Sequence, residues 1–409
     1  LVLFCLSLVV TSLCHFSQPV RFLLKSTTHF TMVESRLFEP IRVGRADLKH
    51  RIAMAPLTRL RADENHTQPP MAQEYYAQRA SVPGTLLIAE AILISPAHGG
   101  MPHGPALWND THVESWKAIT DAVHAKGSSI ICQLVAPGRA ADAAQLAKDG
   151  GHVLLSSTAT PMSGSGFAPK DSGPAPIPRE MTESEIWSCV SDFASAAQNA
   201  IRAGFDGVEI HGANGYLVDQ FLQDTCNTRT DAWGGSPEAR SRFGVEVARA
   251  VSAAIGADRV GFRVSPWSEF QGMRMADPEP TFTYLALQLK KLGLGYLHII
   301  EARVNNNVDI AATESIEFLL RAWDNATPVL LAGGYTPADA VHAVDNKYSA
   351  YDVVVVFGRL FLANPDLPYR IRHGVALNEY DRNTFYAVQS PRGYADYPFC
   401  EGFVPGVEL

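Results

Sequence analysis

The hydrophobic positions of this chain follow two alternating periods. Short, nearly continuous apolar runs recur at residues 51–55, 85–89, 129–134, 207–210, 260–264, 296–300, 329–332 and 353–357. Between most of them, apolar residues return every three or four positions, the spacing of a helix with one buried face. A strand with one wet face alternates apolar and polar residues, whereas a continuous apolar strand is covered on both sides. Strands of the second kind alternating with helices predict an α/β fold with a parallel sheet, and eight of them predict closure into a single (β/α)8 barrel.

The helix ends are legible. Thr182 and Glu185 form a capping box ahead of Ile186, Trp187, Val190, Phe193 and Ala194, which recur at helical spacing. Ser236 and Pro237 place an N-cap and a first-turn proline ahead of Phe243, Val247 and Val251. Thr336-Pro337 and Asn364-Pro365 read as the same device after the seventh and eighth runs. Two stretches break the rhythm. Residues 136–179, rich in Gly, Pro, Ala and Ser, are too long for an ordinary strand–helix connection and predict a lid loop after the third strand. Residues 225–235 form a second insertion.

Length and composition narrow the picture. The 409 residues suit one barrel with insertions, spanning 32–409. Residues 1–14 form an apolar run too short for a bilayer and without a basic start, and the first methionine is Met32. The expectation is that residues 1–31 are a leader outside the fold, with a secretory signal peptide as the alternative. A net charge of −8 with no Lys/Arg stripe argues against nucleic-acid or membrane partners. Six cysteines (Cys5, Cys14, Cys132, Cys189, Cys226 and Cys400) include no C-x-x-C pair, so no zinc, iron–sulfur or disulfide framework is expected. Cys132 and Cys189 read as core thiols, and a cytoplasmic, reducing compartment is the simpler expectation. No metal-ligand constellation is present.

In such a barrel, chemistry gathers where strands end at their C-terminal face. The ends predicted here carry Pro56, Leu57 and Thr58, then Ala91, Gln133, His211, Arg263 and Glu301, then Gly333-Gly334 and Gly358-Arg359. The stretch 206–216 is the richest. After a buried strand, His211, Asn214 and Tyr216 leave on a glycine-loosened turn, where two neutral N–H donors and a phenol can polarise a carbonyl and deliver a proton. A capped loop, in which His211 and Asn214 satisfy only backbone groups, is the alternative. Glycines after strands seven and eight let backbone N–H groups approach a phosphate, and Arg359 adds a cationic fork.

Several segments together resemble the old yellow enzyme family of FMN-dependent ene-reductases, over about residues 37–398. They are His50-Arg-Ile-Ala-Met-Ala-Pro-Leu-Thr-Arg59, His211-Gly-Ala-Asn-Gly-Tyr216, Asn227-Thr-Arg-Thr-Asp231 with Gly234-Gly235-Ser236, Gly358-Arg-Leu-Phe-Leu-Ala-Asn-Pro-Asp366, and Tyr380-Asp-Arg-Asn-Thr-Phe385. The resemblance implies bound FMN, reduction of that FMN by NADPH or NADH in the same pocket, and reduction of the C=C bond of an enone or enal. Pro56, Leu57, Thr58 and Ala91 would lie by the flavin ring, Gln133 at its pyrimidine edge and Arg263 near N1. Gly333, Gly334, Gly358 and Arg359 would hold the phosphate. His211 and Asn214 would grip the substrate carbonyl, hydride would pass from FMN N5 to the β-carbon, and Tyr216 would protonate the α-carbon. Reductant and substrate taking turns in one pocket would account for the lack of a dinucleotide fingerprint, since Gly164-Ser-Gly166 follows no strand.

Phe270 and Tyr394 are expected to wall the substrate side. Val135, where many relatives carry an aromatic or His residue, is expected to widen it. Within the family's fungal branch, which reduces or isomerises an alkaloid aldehyde, Tyr216 in place of Phe implies net reduction. A pathway-specific oxidoreductase or isomerase of a specialised-metabolite enone or aldehyde is the alternative. Related flavin-linked dehydrogenases would need an iron–sulfur cysteine cluster, and a Schiff-base lyase would need a strand-end lysine. A monomer or homodimer is expected.

Overall fold

A computed structural model describes residues 32–163, 175–302 and 314–409, with the backbone of Val304, Asn305, Val308 and Asp309. Residues 1–31 and the Gly164-Ser-Gly166 motif lie outside the described residues. The eight apolar runs form a closed parallel barrel. In chain order they are β1 (Ile52–Met54), β2 (Leu86–Leu93), β3 (Ser129–Val135), β4 (Gly207–Gly212), β5 (Val260–Val264), β6 (Tyr296–Ile300), β7 (Val329–Ala332) and β8 (Val353–Phe357). Each pairs in parallel with the next, and β8 returns to β1 through Val355 opposite Ile52. The short hairpin Ile41–Val43 with Ala46–Leu48 adds Val43, Ala46 and Leu48 to the apolar cluster inside the barrel.

Helices cover the outside. The longest among the described residues, α1 (Glu183–Arg202), begins at the Thr182–Glu185 capping box and buries Ile186, Cys189, Val190, Phe193, Ala197 and Ala200. Trp187 is the exception on that face: it is 41% exposed and meets Trp233 of the second insertion edge-on. Ser236 caps α2 (Pro237–Ile255), which buries Phe243, Val247 and Val251. Thr336 and Asp339 cap the helix Pro337–His342 reciprocally. Asn364 does not repeat that device. It ends the helix Arg359–Ala363, and its side chain bonds Asn378 and Leu360, because the next helix, Leu367–His373, starts two residues after Pro365 with Asp366 at its N-cap.

The insertion after β3 is built rather than bare. It holds the helix Ala143–Lys148 and a two-residue ribbon, Leu155–Ser156 with Arg179–Glu180. Arg229 of the second insertion pins it by donating to the Ser157 and Met181 carbonyls at 3.0 and 2.8 Å.

The barrel interior is apolar on one side and polar on the other. Ala53, Ile88, Ile131, Leu330 and Val354 fill the first. On the second, Tyr296 crosses toward Glu209, and only a glycine at 261 leaves room, since a Cβ there would sit 2.1 Å from the Tyr296 ring. That asymmetry sets up the chemistry at the barrel mouth.

Candidate functional site

A cavity of about 320 Å³ opens at the C-terminal ends of the strands. Pro56, Leu57 and Thr58 line it after β1, Gln133 at β3, Arg263 at β5 and Phe270 beyond it. His211, Asn214 and Tyr216 line it after β4. Gly333, Gly334, Gly358 and Arg359 close the far side, at the ends of β7 and β8.

The turn after β4 is shaped by its own backbone bonds. The Ala213 N–H donates to His211 Nδ1 at 3.3 Å, so the ring proton sits on Nε2. Burial, then Arg263 and His298, holds the His211 pKa down to about 3 against the pull of Glu209. His211 is therefore a neutral N–H donor at any ordinary pH. Asn214 takes a left-handed conformation (φ 56°), which asparagine tolerates better than most residues, and its N–H donates to Ser265 Oγ at 2.8 Å. Tyr216 packs edge-on against His211, ring centroids 4.9 Å apart, and burial pushes its phenol up. Beneath, Asp219 accepts the Gly215 N–H at 2.8 Å and Gln220 Nε2 donates to the Gly215 carbonyl at 2.7 Å.

One buried carboxylate organises the floor. Glu209 accepts from Gln133 Nε2 at 2.7 Å, from the Tyr296 hydroxyl at 3.1 Å and from His298 Nδ1 at 2.8 Å. Burial alone would push this carboxyl up. His298, Arg263 and Gln133 more than offset it, and Glu209 titrates below its ordinary range. With its Nε2 committed to Glu209, Gln133 keeps its carbonyl oxygen for a ligand N–H. Arg263 stands beside this carboxylate with its Nε buried and without a hydrogen-bond partner in the protein.

Residues 36–378 match the NADH:flavin oxidoreductase / NADH oxidase family. The chain belongs to this family, the old yellow enzymes. It is 54% identical to the chanoclavine-I aldehyde reductase fgaOx3 of Penicillium roqueforti over 91% of this chain and 99% of the relative. Among solved structures, the old yellow enzyme homologue from Zymomonas mobilis has a TM-score of 0.81 and 37% identity, covering 88% of this chain and 99% of that one. Morphinone reductase in complex with tetrahydroNAD also has a TM-score of 0.81, with 38% identity over 90% and 99%.

As an old yellow enzyme the protein is an oxidoreductase that uses FMN and NAD(P)H. Its residues fit that cofactor. Arg263 offers an unpartnered buried N–H beside a polar floor. Gly333 (φ 153°) presents bare backbone where a side chain would meet the Glu301 Cβ at 3.0 Å, and Arg359 lines the same corner with a bond to the Tyr380 hydroxyl at 3.3 Å. Among the described residues no helix is long and apolar enough to cross a membrane, and no group of three or more His, Cys, Asp or Glu could hold a metal ion.

Two expected site residues of this old yellow enzyme stand elsewhere. Tyr394 is fully buried, stacked on Tyr75 at 4.2 Å between Arg59 and Arg61, and does not wall the cavity. Its place is taken by Tyr386, which lines the rim and is 37% exposed. Ala91 is not on the lining either. It is buried with Leu93, Val135 and Tyr216, so Val135 lies behind the Tyr216 wall and does not widen the cavity directly. Glu301 turns away, to Lys347 at 3.2 Å and to Tyr348. The signal for Tyr386 was available, one residue beyond the Tyr380–Phe385 motif.

Proposed function

We propose that this enzyme reduces the C=C bond of α,β-unsaturated carbonyl compounds, with His211 and Asn214 holding the carbonyl oxygen and Tyr216 supplying the proton. FMN, when bound, supplies the hydride it has gained from a nicotinamide. Thr58, Gln133 and Arg263 would hold and polarise its ring system, and Gly333, Gly334, Gly358 and Arg359 its phosphate. The protein's own part begins at the substrate oxygen. A neutral Nε2–H from His211 and an amide N–H from Asn214 draw electron density toward that oxygen, which makes the β-carbon electrophilic and stabilises the developing enolate. Because His211 cannot protonate in the working range, it donates a hydrogen bond without surrendering the proton.

The Tyr216 phenol then gives its proton to the α-carbon. The O–H bond breaks, a C–H bond forms from the enolate pair, and the phenolate is refilled from water. Burial keeps the phenol protonated until that moment. The observation that carries this reading is the commitment of His211 Nδ1 to the Ala213 N–H, which leaves the ring's Nε2–H as its donor. The likeness to a chanoclavine-I aldehyde reductase supports an unsaturated aldehyde of a specialised metabolite as substrate, and a phenol at 216 supports net reduction over isomerisation.

Anaerobic stopped-flow tests it. Tyr216→Phe should leave FMN reduction by NADPH within about twofold and slow reoxidation by an enone or enal about 10²–10⁴-fold, the range of a lost general acid. Equal loss in both half-reactions would remove Tyr216 from the donor role.

A further inference from the structure

The segment after β5 passes beside Tyr216 in an unusual backbone conformation. Gln271 and Gly272 take left-handed conformations in succession (φ 60° and 71°). Glycine suits that region and glutamine does not, so something must hold Gln271 there. Its side chain is 1% exposed, yet neither its amide nitrogen nor its amide oxygen has a hydrogen-bond partner. An amide buried unsatisfied is costly, and one beside a reacting group points to a partner that appears during the reaction.

Its neighbour is the proton donor. Gln271 packs against the turn at Gly215, where a Cβ would lie 2.8 Å from its own. Gln271 pulls the Tyr216 phenol down against the upward push of burial, while its amide atoms have no hydrogen-bond partner in the structure. The other groups acting on Tyr216 are of different kinds. His211 is neutral and meets the ring edge-on, Arg263 is a fixed charge, and Tyr386 is a second phenol. Among the groups that act on Tyr216, Gln271 is the one that carries an uncharged amide.

Arg139 holds Gln271 in place. Buried to 2% exposure, it donates from Nη2 to the Gln271 carbonyl at 2.9 Å and from Nη1 to the Thr160 and Pro161 carbonyls at 3.3 and 3.2 Å. Its backbone N–H donates to Gln220 Oε1 at 3.1 Å, and Gln220 in turn holds the Gly215 carbonyl. The donor's turn and the Gln271 backbone are thus fixed to one frame.

We propose that Gln271 is a positioning residue for the proton donor: its Nε2–H bonds the Tyr216 oxygen as that oxygen becomes anionic, and Arg139 keeps it within reach. The inference rests on Tyr216 being the acid proposed above. No atom is exchanged with Gln271; the phenol proton leaves for the α-carbon, and the amide N–H then bonds the electron pair left on the oxygen.

The test is single-turnover reoxidation of the FMN-loaded full chain by 2-cyclohexenone, in wild type, Gln271→Leu, Gln271→Asn, Tyr216→Phe and the Gln271→Leu/Tyr216→Phe double variant. Gln271→Leu should slow reoxidation about tenfold or more, the effect of one hydrogen bond to a charged oxygen. Gln271→Asn should recover part of the loss. In the double variant the Leu substitution should add nothing to Tyr216→Phe, because the group it serves is gone. Binding of a para-substituted phenol should stay within about twofold in Gln271→Leu, which reports that the His211–Asn214 side is intact. Additive losses in the double variant, or a Gln271→Leu rate equal to wild type, would overturn the inference while leaving Tyr216 as donor. An unimpaired Tyr216→Phe would overturn both.

Discussion

Replacing Glu209 by Gln should destabilise the fold and, at the same time, raise the reduction potential of the bound flavin. The carboxylate accepts three hydrogen bonds inside the barrel, from Gln133, Tyr296 and His298, and lies beside the Arg263 charge. A glutamine can keep the bond from Gln133 with its oxygen. Its NH2 then faces Tyr296 and His298, which can accommodate it: the hydroxyl can turn, and His298 can move its proton to Nε2, a buried atom with no hydrogen-bond partner at present. What is lost is the negative charge. Three bonds fall from charge-assisted to neutral strength, about 1 kcal/mol each, so a loss of about 3 kcal/mol is expected. Arg263 is left less compensated, and in its proposed place by the flavin ring a positive charge favours the anionic reduced form. An interaction of about 1–2 kcal/mol at an effective dielectric near 20 corresponds to roughly 20–45 mV upward for a two-electron couple. Denaturant melts and a dye-equilibrated redox titration of the FMN-loaded protein measure the two effects. A potential that stays put or falls, with the fold intact, would refute the proposed placement of Arg263 beside the flavin.

Other consequences are separable. Burial pushes the Asp219 carboxyl up to about 7, so the folded protein keeps a proton that the unfolded chain releases near pH 4, and stability is lost as pH rises through that interval. Asp219→Asn resembles the protonated form, so its unfolding free energy should run parallel to wild type below about pH 4 and gain on it as pH rises, by up to about 4 kcal/mol at pH 8; curves that stay parallel throughout would contradict this. Gly333→Ala puts a side chain at φ 153° and 3.0 Å from the Glu301 Cβ, and should weaken FMN retention about tenfold or more in a fluorescence titration. Tyr394→Phe removes a hydroxyl that is buried without a hydrogen-bond partner, and should leave KM for an enone unchanged, whereas Tyr386→Ala should shift it.

Much of this architecture could be read from residue order because its signals are local. Continuous apolar runs mark strands covered on both faces, and β5, β6, β7 and β8 begin and end where those runs do. The second apolar run stops at residue 89, where the charged Glu90 interrupts it, but the strand does not. A register shift between Ile88 and Ala91 lets the strand continue to Leu93, and Glu90 is met outside by Gln68 and the Arg59 N–H. His211, Asn214 and Tyr216 were legible because one short turn carries all three. Tyr394 and Gln271 were not. Their positions depend on which of several aromatic residues in the C-terminal segment stacks on Tyr75, and on a long-range bond from Arg139 to a loop far along the chain. Asn364 misled for a related reason, since its cap-like sequence is used to hold Asn378.

The central claim is that FMN sits at the barrel mouth with His211 and Asn214 closing on a single oxygen above it. Titrating a para-substituted phenol into the FMN-loaded protein, in wild type and His211→Ala, tests it most directly. Wild type should develop a long-wavelength charge-transfer band, and His211→Ala should bind the phenol at least about tenfold more weakly with the band diminished. Identical titration curves for the two proteins, or a chain that takes up no FMN when it is supplied in excess, would contradict the account.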